Sequence, residues 1–140
     1  MERSEILAQL RENMSRAYAP YSNFHVGSVI RSTDGQYYNG CNVENAAYPL
    51  GVCAEGGAIS AMIQNGSREI AEIYVMGDGE ALVTPCGGCR QKIREFANAN
   101  TQIHVCGPEG LRKTFTIEDL LPLSFGPDNL NNDEPKSILE

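Results

Sequence analysis

An α/β sandwich is the fold class this sequence predicts, and three observations predict it. Segments of helical periodicity alternate with short apolar runs along the chain. Two of those runs meet at Asp34-Gly35, a dipeptide typical of tight hairpins. No interruption is long enough to separate domains, so the 140 residues are expected to form a single one, over 1–126, with a loosely held tail over 127–140 rich in Asn, Asp and Pro.

The first helix is expected over 4–18, where Ile6, Leu7, Leu10, Met14, Ala17 and Tyr18 share a face and Pro20 ends the run. Strands at about 25–32 and 36–42 form the hairpin. Residues 43–52 carry Asn, Pro and Gly and read as a loop. A second helix runs from near Cys53 to Asn65, with Gly66 just beyond its C-cap. Ile70 to Met76 suits a buried strand. A third helix should start at Cys86 or Gly87 and reach about Asn98, with Cys89, Ile93, Phe96 and Ala97 inward. Gln102 to Cys106 is a strand, another lies near Phe115, and Thr116 caps a helical turn at 117–121. The order implies a mixed sheet of about five strands, opened by a hairpin and continued by crossovers.

Charge narrows the partners. Eleven basic against eighteen acidic residues leave a net charge of −7, and Arg90, Lys92 and Arg94 stand among polar and acidic neighbours. A nucleic-acid polymer, which is gripped by clustered cations, is a poor match, and a small neutral ligand a better one. No run approaches the ~18 apolar residues of a membrane span. Met1-Glu2-Arg3-Ser4-Glu5 lacks the basic-then-apolar order of a signal peptide, so a cytoplasmic protein without membrane partners is expected.

The five cysteines divide by surroundings. Cys41 and Cys106 fall in expected strands and read as small buried side chains. Cys86 and Cys89 open the third helix as Pro85-Cys86-Gly87-Gly88-Cys89, where side chains three apart share a face and can meet one metal ion. Cys53 opens the second helix. Three protein ligands with a fourth position left to water is the arrangement of catalytic zinc. His25 and His104 have no ligand spacing to these cysteines and read as structural. Glu55, two positions beyond Cys53, can stand beside a metal as proton acceptor.

Cys53-Ala54-Glu55 followed by Pro85-Cys86-Gly87-Gly88-Cys89 resembles the zinc-dependent nucleoside deaminase family, in its small, one-domain cytidine deaminase branch. Tyr21-Ser22-Asn23-Phe24-His25-Val26-Gly27 is similar to that family's YSxFxVG segment, and Gly40 to Tyr48 to its nucleoside-binding stretch. Leu120-Leu121-Pro122 with Phe125-Gly126-Pro127 is similar to its C-terminal signature.

The resemblance implies a three-layer α/β/α sandwich and hydrolysis of cytidine and 2′-deoxycytidine to the uracil nucleosides and ammonia, in pyrimidine salvage. It implies one zinc ion per chain on Cys53, Cys86 and Cys89, and Glu55 as the group that moves protons from water to ring N3 and then to the leaving ammonia. Asn42 and Glu44 would bind the ribose 3′-hydroxyl, Phe24 would pack on the pyrimidine, and Tyr48 would lie near the 5′-hydroxyl. Ala46 and Ala54 would also contact substrate. Phe125 would reach a neighbouring subunit's site, which implies a homotetramer with shared sites. The rival readings are a deaminase of another cytosine nucleoside, such as a nucleoside antibiotic, and a silent zinc- or nucleoside-binding relative.

The chain departs from the family where many members follow Cys-Ala-Glu with Arg and Thr: here stand Gly56 and Gly57. The resemblance places that Arg against the thiolates. Its absence leaves the site more negative, and the two helix N-termini are expected to offset some of this; Arg90, next to Cys89, is a further source of charge whose orientation the sequence leaves open.

Overall fold

The structure, a computed structural model, describes residues 1–130. A mixed sheet in the order β2-β1-β3-β4-β5 forms its centre, from β1 (Val26–Ser32), β2 (Tyr37–Cys41), β3 (Ile70–Gly77), β4 (Ala97–Gly107) and β5 (Gly110–Phe115). β1 is antiparallel to β2 and β3, β3 and β4 are parallel, and β5 returns antiparallel to β4.

Side chains alternate between the two faces, as the pleat requires. On one face Val29, Tyr74, Met76 and Cys106 meet Ile6 and Leu10 of α1 (Arg3–Arg16). On the other, Ile30, Ile73, Val75 and Ile103 meet Ala58, Ile59 and Met62 of α2 (Ala54–Gln64) and Ile93 of α3 (Gly87–Phe96). The short α4 (Ile117–Leu120) adds Ile117 and Leu120 to that second core. The three expected layers and five strands are present.

Two glycines let the helices lie close to the sheet. A methyl at Gly27 would come 2.5 Å from the Leu10 carbonyl of α1. One at Gly40 would collide with the Ala54 carbonyl and lie 2.5 Å from the Ala58 nitrogen, so α2 rests directly on β2. Because β2 and β3 both oppose β1, they run the same way. The N-termini of α2 and α3, which follow them, therefore open at the same end of the sheet.

The structure differs from the sequence expectation in five places. α1 stops at Arg16, because Tyr18 is drawn into a bridge with Val43. The 43–52 loop contains a 3-10 turn at Tyr48–Leu50. α3 stops at Phe96 and β4 starts at Ala97, earlier than Gln102. The register jumps there, Ile70 facing Ala97 and Glu72 facing Gln102, and Thr101 closes the bulge by donating to the Ile70 carbonyl at 2.6 Å. Residues Pro127–Leu130 form α5, with Asp128 paired to Arg94 at 2.7 Å, and the rest of the expected tail lies outside the described residues.

Candidate active site

Cys53 is the N-cap of α2, its backbone extended and its Sγ accepting the Gly56 N–H at 3.3 Å. A sulfur thus takes the place usually held by a Ser or Asp oxygen, at the partly positive end of the helix. Glu55 follows in the first turn and is only 4% exposed. Cys86 is the N-cap of α3, and Cys89, one turn in, is buried. All five cysteines are free thiols.

Cys53 Sγ, Cys89 Sγ and a Glu55 carboxylate oxygen lie within 4.8 Å of one another. Sulfurs around a tetrahedral zinc, with Zn–S bonds of ~2.3 Å, sit about 3.8 Å apart, so the Cys53 and Cys89 pair is compatible with such an ion, the Glu55 carboxylate standing beside it. Soft sulfur favours zinc over hard cations. Cys86 stands outside that cluster: it is exposed on the rim, bordering the same cavity.

The thiols divide one proton unequally. The hydrogen bond from the Cys89 thiol, opposed by burial and helped by the Gly56 N–H and Lys92, brings Cys53 down to about 6. The same hydrogen bond and burial push Cys89 up. Burial pushes the Glu55 carboxyl up to about 7, with the Cys53 charge adding to it. A carboxyl poised near neutrality can accept a proton and return it.

Phe24, Asn42 and Ala54 border the cavity above these groups, about 260 Å³ in volume. Phe24 lies over Gly77, where a methyl would be 3.2 Å from its ring. Asn42 ties down the approach to it: Oδ1 accepts the Val26 N–H and Nδ2 donates to the Phe24 carbonyl, each at 2.8 Å. One hydrogen and one lone pair of that amide stay free for a ligand.

Glu44 and Tyr48 border a second cavity of about 330 Å³ with Tyr21 and Ser22. The Glu44 carboxylate accepts the Tyr21 and Ser22 N–H groups at 3.0 Å and the Ser22 hydroxyl. The bonds from Ser22 hold it below the usual carboxylate range. Ala46 is exposed and borders neither cavity. Phe125, 58% exposed, is held on the outside of α3 by Gln91 Nε2, which donates to its carbonyl at 2.9 Å.

Both histidines are engaged elsewhere. His25 pairs with Asp78 at 2.9 Å; His104 lies between Glu72 at 3.1 Å and Thr114 at 2.8 Å. Arg90, whose orientation the sequence leaves open, does not serve the thiolates. Its guanidinium donates to the Pro85 and Leu120 carbonyls, both at 2.8 Å, and to Thr84 Oγ1 at 3.0 Å, clamping the loop before α3. The cation that does reach a sulfur, Lys92 with Nζ 3.7 Å from Cys53 Sγ, escaped the sequence reading. Its i, i+3 spacing from Cys89 was the available signal.

Residues 1–105 match the zinc-binding region of cytidine and deoxycytidylate deaminases. The chain is 36% identical to a cytidine deaminase of Sporosarcina psychrophila, over 94% of this chain and 96% of that one. It is 41% identical to one of Mycobacterium tuberculosis, over 81% and 82%. The crystal structure of a cytidine deaminase from Burkholderia pseudomallei superposes with a TM-score of 0.83 at 35% identity, covering 89% of this chain and all of that one.

Proposed function

The chain belongs to the cytidine and deoxycytidylate deaminase family, and from that membership we propose that it is a zinc-dependent cytidine deaminase. It would hydrolyse cytidine and 2′-deoxycytidine: water adds its oxygen at C4, the amino group leaves as ammonia, and uridine or 2′-deoxyuridine remains. The observation that carries this reading is the buried Glu55 carboxyl beside two thiols at the floor of a cavity bordered by Phe24 and Asn42.

Cys53 and Cys89, with Cys86 turned in from the rim, would hold the zinc ion. That ion, when bound, acts as a Lewis acid that acidifies water to near-neutral pH. Glu55 takes the proton released, hands it to ring N3, and carries a second proton to the departing nitrogen. Its burial keeps bulk water from competing for that proton. Asn42 has a donor and an acceptor free to meet a ribose hydroxyl, and Glu44 an acceptor. Phe24 offers a ring face to the pyrimidine, and Tyr48, with Ala46, the far end of the sugar. Phe125, excluded from its own chain's cavity, serves a neighbouring subunit in a homotetramer. A cytoplasmic place in pyrimidine salvage goes with this activity. Among the described residues no helix is long and apolar enough to cross a membrane.

The test is conversion of cytidine by zinc-loaded protein, followed by ultraviolet absorbance, beside Glu55→Gln. Removing one proton-transfer group lowers turnover by about 10²–10⁴-fold or more, and the variant should keep its zinc. Joint loss of zinc and turnover would make the carboxylate structural instead.

A further inference from the structure

Lys92 leaves α3 and crosses the first turn of α2 to reach Cys53. Its Nζ stands 3.7 Å from Sγ, and among the described residues that sulfur is its one hydrogen-bonding partner. Glu95, one turn along α3, borders the same groove, yet it forms no ion pair with the ammonium among the described residues. The path exists because residue 56 is glycine. A methyl there would lie 3.2 Å from Lys92 Nζ, 3.6 Å from its Cδ and 3.2 Å from Cys53 Sγ, so even the smallest side chain would press on both the ammonium and the sulfur, and a larger one would compete for the ammonium's place. Glycine is a poor helix former even in a first turn, and this one is explained by what passes over it. Gly57 has no such account: a methyl there would make an ordinary contact, 3.6 Å from the Cys41 carbonyl.

We infer that Lys92 is a positioning residue acting through Cys53: it lays a cation on the sulfur from the neighbouring helix, across Gly56, and offsets the negative charge that thiolates accumulate around a bound zinc ion. The inference rests on the reading of Cys53 as a metal-holding residue. Gly56 and Lys92 act as a pair, since one cation fits over this sulfur and it comes either from α3 above a glycine or from residue 56 itself. Arg90 cannot substitute, because its guanidinium is committed to two carbonyls and Thr84.

Cobalt(II) is the probe, because its sulfur-to-metal charge-transfer band reports electron density on the ligating sulfur. Full-length protein is loaded with cobalt(II) as the parent, Lys92→Met, Lys92→Arg and Lys92→Met with Gly56→Arg. Lys92→Met keeps the apolar stem, and its band should move to lower energy as the sulfur becomes more electron-rich. Competition against a chromophoric chelator should show zinc held about fivefold less tightly, the scale of one solvent-facing ion pair. Lys92→Arg should restore both readouts, and Gly56→Arg should restore both in the Lys92→Met background. An unmoved band in Lys92→Met, or no recovery in the double variant, overturns the assignment of Lys92 while leaving the metal site intact. A parent that gives no charge-transfer band overturns the metal reading and this inference with it. Turnover of the zinc forms is then compared, with kcat expected to follow the band energy.

Discussion

Asn42 shows how a single side chain can serve the fold and the proposed ligand together. Its amide holds the backbone of Phe24 and Val26 with one donor and one acceptor, and keeps one of each in reserve. Asn42→Asp retains the acceptor for the Val26 N–H and loses the donor to the Phe24 carbonyl. Losing one such bond next to the pocket should raise KM for cytidine about tenfold, with zinc content unchanged; initial rates and metal analysis check both. Cys53, Glu55 and Cys89 were legible in the sequence because each sits at or within one turn of a helix start, where spacing fixes direction. Lys92 was not, since its target depends on how α2 packs beside α3 and on the missing side chain at 56. The direction of Arg90 was open for a related reason: a guanidinium beside Cys89 in sequence is held by the Pro85 and Leu120 carbonyls, which only the packed loop brings near it.

At the scale of elements, the strands are tied by a polar chain on the α1 side of the sheet. Arg31 of β1 meets Glu72 of β3 at 2.7 Å, Glu72 meets His104 of β4, and His104 meets Thr114 of β5. Burial pushes the Glu72 carboxyl up, but the hydrogen bonds from Arg31 and His104 outweigh it and hold it below the usual carboxylate range. A carboxyl lowered in this way stabilises the fold above the range where the unfolded chain titrates, and that contribution fades as pH falls through the folded value. Glu72→Gln should therefore be less stable than the parent at neutral pH, and the gap should close in acid. Urea midpoints from about pH 7 to about pH 3 measure it. The helix starts were readable because caps and turn residues act locally. The start of β4 was not, because the helical face reads on to about Asn98 and only the Thr101 bond to Ile70, across the sheet, shows the segment to be a bulged strand.

Over the whole molecule, alternation of helix and strand was enough to read the layers, whereas composition says nothing about association. The described surface leaves Leu123 at 96% exposure, Tyr48 at 75%, Leu50 at 67% and Phe125 at 58%. Leu123 also holds a positive φ of 53°, a strained setting for an apolar residue with no cover of its own. Further copies of the chain would supply that cover. Sedimentation should give about four times 15.3 kDa, and Leu123→Asp should shift it toward smaller species with a loss of turnover. The sheet order has a kinetic side as well. Cys53 and Cys89 follow β2 and β3, which are not neighbours but flank β1, so no short stretch of chain holds both sulfurs. They converge only after a hairpin, a crossover and the pairing of β1 with β3, contacts distant in sequence and slow to form. An ion cannot template such a site early, as it does where ligands sit on one small loop. Refolding from denaturant should thus run at the same rate with or without zinc, while unfolding slows when zinc is present, as stopped-flow traces would show. The metal would be a brake on unfolding, not a seed for folding.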